Sequence, residues 1–429
     1  MKSSTNSIIT FFFLVYFVTR THGIAGYIQS FWVLPLLIIF IFSIVILFKF
    51  SKSDLRIIAK ESVWILMSFF ILLIYIFFGD GNFKLFETFK YLVFSVPFYI
   101  IGYFWGLKGH DKNFRNTVVG YFIFILLYLF TKFLQLDSIN RISKDTLGRL
   151  FYVPGKFSYN DLIFFWPLIS FVFILAFILF LEHNRSRPKR FFLFTVSIIY
   201  LIAFFLSGLA SSIFLIFSTL IIYYFIKIGS KGQIKLLLIF PIIIMISYLG
   251  IYLIGSGKLG TFGTLTSKTK GIISLINSGK LYDENLFNTI TSDRWTAGRY
   301  SFHQFFEKPL FGQGAYLEGV KGDLGNIKSY TGAAGGHSFI LDSLAYYGIW
   351  GLTMVMILVK FSKDAWKYFR VSSQHDRKAA MVFTSLIISL LISNILNSSF
   401  LASYFDNFVF LCSGFYLGKY IMIKHAKLL

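Results

Sequence analysis

His337 is the side chain in this sequence best suited by type to move a proton. It follows Gly335 and Gly336 and stands at the mouth of an apolar run over residues 338–352. A neutral imidazole can take a proton at ambient pH, and a glycine pair lets backbone and ligand approach closely. The same histidine could instead cap or anchor the helix that it opens. Upstream, residues 292–314 are the other polar segment with helical patterning. Arg299 and His303 stand four apart there, on one face of a helix, with Arg294 nearby. A guanidinium can bind two phosphate oxygens at once, and it can equally anchor to lipid headgroups. Chemistry, if the chain performs any, belongs where these two pieces meet.

The elements that must position them are membrane helices. Hydrophobic residues make up 56% of the 429 and charged residues 14%, with a mean hydropathy of +0.71. That composition excludes a soluble protein. Apolar runs of about 18 residues or more recur along the chain, and runs that long read as bilayer-crossing helices. The short alternating segments of a membrane barrel are missing. The net charge of +22 needs no nucleic acid, because basic residues gather in cytoplasmic loops. A lone cysteine, Cys412, supports neither an internal disulfide nor a cysteine-based metal site.

About twelve spans can be drawn, over residues 8–18, 28–48, 62–78, 91–107, 117–130, 162–181, 191–207, 209–226, 236–254, 344–359, 380–396 and 404–423. The first reads as an uncleaved span, since no small-residue cleavage site follows it. Alternate connections carry Lys49, Lys52, Arg56 and Lys60, then Lys108, Lys112 and Arg115, then Arg185, Arg187, Lys189 and Arg190. The same side continues with Lys227, Lys231 and Lys235, then Lys360 to Lys378, then Lys419 onward. An even number of spans puts both termini on that basic, cytoplasmic side.

The opposite face holds two longer loops, over residues 137–159 and 255–336. The larger one carries Lys258, Lys268, Lys270, Lys280, Arg294, Arg299, Lys308, Lys321 and Lys328, against the bias that governs the short loops. An anionic substrate would account for that excess; so would the freedom of long loops from the charge rule. Within it, Ser292 can cap a helix with Asp293 in the first turn. Trp295, Phe302, Phe305 and Phe306 would supply its apolar side, Pro309 would end it, and Gly312-Gln313-Gly314 would turn the chain. The pattern is that of an amphipathic helix lying on the membrane surface or on the bundle.

These residues resemble the signature region of the O-antigen ligase and polymerase family, integral-membrane glycosyltransferases that use undecaprenyl-diphosphate-linked oligosaccharides. The family pattern is a small-Gly-Arg opening, an aromatic helix, His-Pro-Leu-Phe-Gly-x-Gly, a variable loop, then His-Asn before a Leu-rich helix with Gly-x-x-Gly. Its counterparts here are Ala297-Gly298-Arg299, then Glu307-Lys308-Pro309-Leu310-Phe311-Gly312-Gln313-Gly314, then His337-Ser338 and Gly348-Ile349-Trp350-Gly351. A second echo is Gly155-Lys156-Phe157-Ser158-Tyr159-Asn160-Asp161, without the family's proline. Ser338 stands where the family has Asn. Leu209-Ala210 stand where a middle helix usually opens with Ser-Arg.

The resemblance implies an all-α polytopic membrane protein of about twelve transmembrane helices, GT-C-like, with a large external loop between the ninth and tenth spans. Residues 1–254 would form an N-terminal bundle, 255–336 the loop and 337–429 the C-terminal helices. It implies a polymerase of lipid-linked repeat units for O-antigen, capsule or exopolysaccharide, on the external face of the bacterial inner membrane. The sister ligase, which passes the glycan to lipid A core, shares the signature. A flippase for the same lipid-linked oligosaccharide is the alternative of another class. Implied partners are the undecaprenyl-diphosphate-linked oligosaccharide, membrane lipid, a chain-length regulator and a flippase, with no nucleic acid.

In such a reaction His337 would take the proton of the acceptor hydroxyl, and Arg299 would meet the charge that develops on the leaving diphosphate. Arg294 and Arg149 are the further phosphate candidates, with His303 and Lys156 as lesser contributors. No metal and no other cofactor is implied; Asp283-Glu284 is the nearest acidic pair and reads as a solvated loop. Asp342 lies five positions beyond His337, about 140° round a helix, so it need not share its face and is expected to pair with a loop arginine or a neighbouring helix.

Overall fold

The computed structural model describes residues 3–21, 33–78, 83–133, 218–227, 294–312, 338–374, 376–396 and 406–426, with Ile174, Thr195 and Leu215. All regular structure among them is helical. The first part of the chain gives α1 (Ser3–Thr21), α2 (Val33–Leu47), α3 (Lys52–Glu61), α4 (Val63–Phe78), α5 (Phe83–Leu107) and α6 (Asp111–Phe133). The last part gives α7 (Arg294–Glu307), α8 (Phe339–Tyr347), α9 (Leu352–Val371), α10 (Arg377–Leu396) and α11 (Asp406–Ala426). Among the described residues two stretches, Phe339–Val371 and Arg377–Ile395, are long and apolar enough to cross a membrane; α3 and α4, bent by 63°, make a third if counted as one broken span. The expected spans at 162–181, 191–207 and 236–254 lie outside the described residues except for Ile174 and Thr195.

The bundle is built on the pair α5 and α11. Gly102 and Gly106 of α5 face Gly414 and Gly418 of α11. A methyl group at any of the four would overlap a carbonyl across the interface, those of Leu411, Phe415, Tyr99 and Tyr103 respectively. The contacts ascend together along both helices, so the two run parallel. Small residues four apart let membrane helices approach until their backbones touch, where dispersion rather than water exclusion holds them. The rings of Phe114 and Phe415 stack beside this seam, 3.8 Å apart and 4° from parallel. At one end Ser95 Oγ donates to Asn407 Oδ1 at 2.7 Å, and Asn407 Nδ2 donates to Tyr16 Oη at 2.6 Å, which ties α5, α11 and α1. Toward the other end Lys419 Nζ meets Asp111 Oδ2 at 2.6 Å.

α4 and α9 form a second, antiparallel pair. Ser62 interrupts the helix between α3 and α4, and Ser51 caps α3 in a reciprocal box with Asp54. Just before the bend, Glu61 pairs with Lys360 of α9, which also binds Asp364; Lys367 Nζ lies 3.4 Å from Asp364 Oδ1. Ser68 Oγ donates to Thr353 Oγ1 at 3.2 Å midway along. Large side chains such as Phe48, Phe70 and Phe77 point outward at 86%, 61% and 74% exposure, as a surface wetted by lipid tails would have them.

One expected span is corrected here. The sequence reading has a helix entering the membrane directly from His337, with a span over 344–359 and Lys360 opening the next loop. Instead the helix breaks at Gly348, whose φ of 60° and ψ of −148° belong to no right-handed helix. The chain turns through Gly348–Gly351 so tightly that Gly351 abuts the Ser343 carbonyl. The 20-residue helix α9 then starts afresh at Leu352 and, at 1.5 Å per residue, is about 30 Å long. Lys360 and Asp364 therefore lie inside a continuous helix, where mutual pairing makes their burial tolerable.

Candidate functional site

The turn over Pro309–Gly312 and the turn over Gly348–Gly351 meet in space. α7 packs on α8, and the turn that ends α7 interlocks with the turn that ends α8. Pro309 forbids a continuing helix, and Gly312 reverses the chain at φ +65° while its N–H donates to the Lys308 carbonyl at 2.7 Å. Across from it, the Ile349 N–H donates to the Pro309 carbonyl at 2.8 Å. Each glycine sits against the other turn's backbone. A Cβ on Gly312 would overlap the Tyr346 carbonyl and the Gly348 nitrogen, and one on Gly348 would overlap the carbonyls of Leu310 and Pro309. Both positions also need a left-handed φ, so glycine is required twice over.

Tyr75, near the far end of α4, closes this double turn from the side. Its hydroxyl donates to the Phe311 carbonyl and lies 3.2 Å from that of Tyr347. Its ring meets Tyr347 edge-on at 5.3 Å. The two turns are thus tied to a helix 236 residues earlier in the chain.

Beneath the turns, Asp342 joins α7 to α8. It is 5% exposed. Its Oδ1 accepts the Ser301 hydroxyl at 2.8 Å, and its Oδ2 faces the Ser338 N–H at 3.4 Å. Ser338 caps α8, its Oγ accepting the Leu341 N–H at 3.2 Å. Gly298 leaves room for Leu341, whose Cδ1 would lie 3.4 Å from a methyl placed there. The inward face of α7 is therefore small and polar, Gly298 and Ser301, with Phe305 half-buried beside them.

The sequence leaves the apolar side of this helix to meet either the membrane surface or the bundle. Phe302 and Phe306 do not face the protein; they stack edge to face at 4.6 Å and stand 50% and 62% exposed. Leu310, Phe311, Ile349 and Trp350 extend the exposed apolar surface onto the double turn. The helix starts at Arg294 with no acidic residue in its first turn; Ser292 and Asp293 lie outside the described residues.

Arg299 and His303 do share a face of α7, and both are exposed. His303 Nδ1 lies 3.2 Å from Glu307 Oε1, so its partner is the glutamate four residues on. Arg294 opens α7, but only its backbone is described. His337, Arg149 and Lys156 lie outside the described residues, as does Asp161. The structure brings Arg299 and His303 onto the helix that Asp342 fastens to Ser338, the residue next to His337. No family model matches this chain, and no curated protein is similar to it in sequence.

Two contributors escape the sequence reading, and a third, Asp342, is singled out by it. Ser301 carried no local signal beyond being small on the face opposite the charges. Tyr75 carried none, because its partners are distant in sequence. Asp342 is visible as a carboxylate in the first turn of an apolar helix, a place where burial demands donors; the Ser301 hydroxyl on the neighbouring helix and the Ser338 amide are two of them.

Proposed function

We propose that this chain is a polytopic membrane glycosyltransferase that polymerises undecaprenyl-diphosphate-linked repeat units on the external face of the bacterial inner membrane. In this reading it has about twelve spans in a GT-C-like arrangement, both termini in the cytoplasm and residues 255–336 outside. One observation carries the reading: the Pro309-Leu310-Phe311-Gly312 and Gly348-Ile349-Trp350-Gly351 segments, which resemble the two halves of one signature, interlock through two left-handed glycines and the Ile349–Pro309 hydrogen bond. Such an interlock makes physical sense of why both glycine motifs occur together and in that order.

The chemistry balances as follows. An acceptor sugar hydroxyl attacks the anomeric carbon of the lipid-linked chain, a C–O bond forms, and the bond from that carbon to the diphosphate breaks. His337 takes the hydroxyl proton, and undecaprenyl diphosphate leaves with the bonding electrons. Arg299, with Arg294 or Arg149, offsets the charge on the departing oxygen. His303 and Lys156 add positive charge around it. The exposed aromatic rings beside Arg299 suit a helix at the level of the headgroups, with its cations toward the diphosphate and its rings toward acyl chains.

The ligase shares these features. The flippase alternative calls for charges used along a path through the spans, whereas Lys360, Asp364 and Glu61 pair with one another at one end of α4. Deleting the gene and examining the surface glycan separates the three. Single repeat units on the acceptor mark the polymerase. Unattached polymer marks the ligase and refutes the polymerase; repeat units trapped on the cytoplasmic face mark the flippase and refute both.

A further inference from the structure

The chemistry above assigns nothing to Asp342, yet this carboxylate spends one oxygen on each of the two segments that carry the candidate residues. Oδ1 accepts from Ser301, two positions beyond Arg299 on α7; Oδ2 accepts from the backbone of Ser338, which is bonded directly to His337. The group is 5% exposed, so it acts through its contacts within the protein rather than through solvent. We infer that Asp342 is a positioning residue: it sets the register of α7 on α8 and thereby the place of the Arg299 helix relative to Ser338. The inference rests on the proposed glycosyl transfer for its effect on rate, but not for its effect on structure.

The hydrogen-bond pattern gives a sharp test. Asparagine can reproduce both contacts, its Oδ1 accepting the Ser338 N–H while its Nδ2 donates to the Ser301 hydroxyl, which accepts as readily as it donates. Alanine reproduces neither. A group that acted as the base would fail equally in both variants.

The experiment uses the full chain in membranes. Gly298→Cys and Leu341→Cys place two thiols across the α7–α8 contact, where a Cβ at 298 would touch Leu341; the native Cys412 is buried and does not compete. Disulfide formation with a copper–phenanthroline oxidant is followed in the otherwise native chain, in Asp342→Asn, in Asp342→Ala and in Ser301→Ala. Turnover of a lipid-linked repeat unit is measured in the same backgrounds without the cysteines. Asp342→Asn should cross-link like the parent and keep turnover within about tenfold, because a neutral hydrogen bond retains roughly half the strength of a charge-assisted one. Asp342→Ala should cross-link about tenfold more slowly, the weight of one lost buried hydrogen bond, and lose turnover by about a hundredfold, as small misplacements of reacting groups do. Ser301→Ala should weaken the cross-link while leaving the Ser338 contact intact.

Unchanged cross-linking in Asp342→Ala would overturn the inference. So would an Asp342→Asn variant as inactive as Asp342→Ala with its cross-link intact, since the carboxylate would then be doing chemistry. If the parent itself turned over no lipid-linked glycan, the proposed function would fall, and the cross-linking alone would decide the role of Asp342.

Discussion

Replacing either glycine of the double turn by alanine should cost far more than replacing a glycine that is left-handed but unconfined, and the two costs should not add. Gly312, Gly348 and Gly109 have φ of +65°, +60° and +67°. A methyl at Gly109 meets nothing nearer than the Met422 sulfur at 4.0 Å, so Gly109→Ala pays only the left-handed strain, about 1–2 kcal/mol. At Gly348 the ψ of −148° lies in a region open to glycine alone, which raises the strain to about 1–3 kcal/mol. Forcing the methyl against the Leu310 and Pro309 carbonyls adds about 1–3 kcal/mol of overpacking. Gly312→Ala pays the same kinds of cost against Tyr346. Both overlaps are relieved by one movement, the parting of the two turns. The double variant should therefore fall short of the summed single costs by about 0.5–3 kcal/mol. Equilibrium unfolding of the full chain in detergent, followed by tryptophan fluorescence with Trp350 in the turn as local reporter, measures all four corners. Strict additivity, or single costs no larger than that of Gly109→Ala, would refute the interlock.

Other outcomes follow from the same structure. Tyr75→Phe should destabilise by about 1–3 kcal/mol, because it leaves a carbonyl of the double turn without its donor; a thermal melt of the full chain reads it, and an unchanged midpoint would show that the tyrosine is not the tie. Leucine at Gly106 or Gly418 should part α5 from α11 and abolish the folded protein, measured as loss of the monodisperse species in detergent, because backbone carbonyls cannot yield to a side chain. Removing Lys360 (Lys360→Met) should cost about 3–5 kcal/mol, since buried Asp364 and half-buried Glu61 would lose their shared cation; Lys360→Met combined with Glu61→Gln and Asp364→Asn should recover much of it. Burial pushes the Glu61 carboxyl up, but the hydrogen bond and charge of Lys360, with Lys367 and Lys60, outweigh it and hold the group below its ordinary value of 4.5. A depressed folded-state pKa gives stability that is present above 4.5 and lost as pH falls through the folded value. Acid unfolding should therefore lose that acid-side component in Glu61→Gln, and an unchanged profile would contradict it.

Much of the helical framework was legible because lipid imposes a strong pattern. Apolar length alone marked the helices now seen as α2, α4, α10 and α11. Periodicity could not show the break at Gly348. Residues 338–371 are apolar on both sides of it, and only the facing backbone of Leu310 reveals why a glycine must stand there. Nor could it say which face of α7 is buried: Phe302 and Phe306 look like core on a helical wheel, but beside lipid an exposed ring costs little, and the close contact goes to Gly298 and Ser301. The charges of Arg299 and His303 were legible, their helix and shared face included. The expectation that Asp342 pairs with a neighbouring helix needed coordinates to name the partner, because one donor is a hydroxyl 41 residues away and another a main-chain amide.

The most direct measurement is turnover of a defined lipid-linked repeat unit by the purified full-length protein in the presence of chelator, comparing the parent with His337→Ala and Arg299→Ala. The account predicts polymer from the parent, with undecaprenyl diphosphate released in step, and its loss from both variants with folding intact. Unchanged chain lengths from both variants, or a parent that needs an added divalent ion, would contradict it.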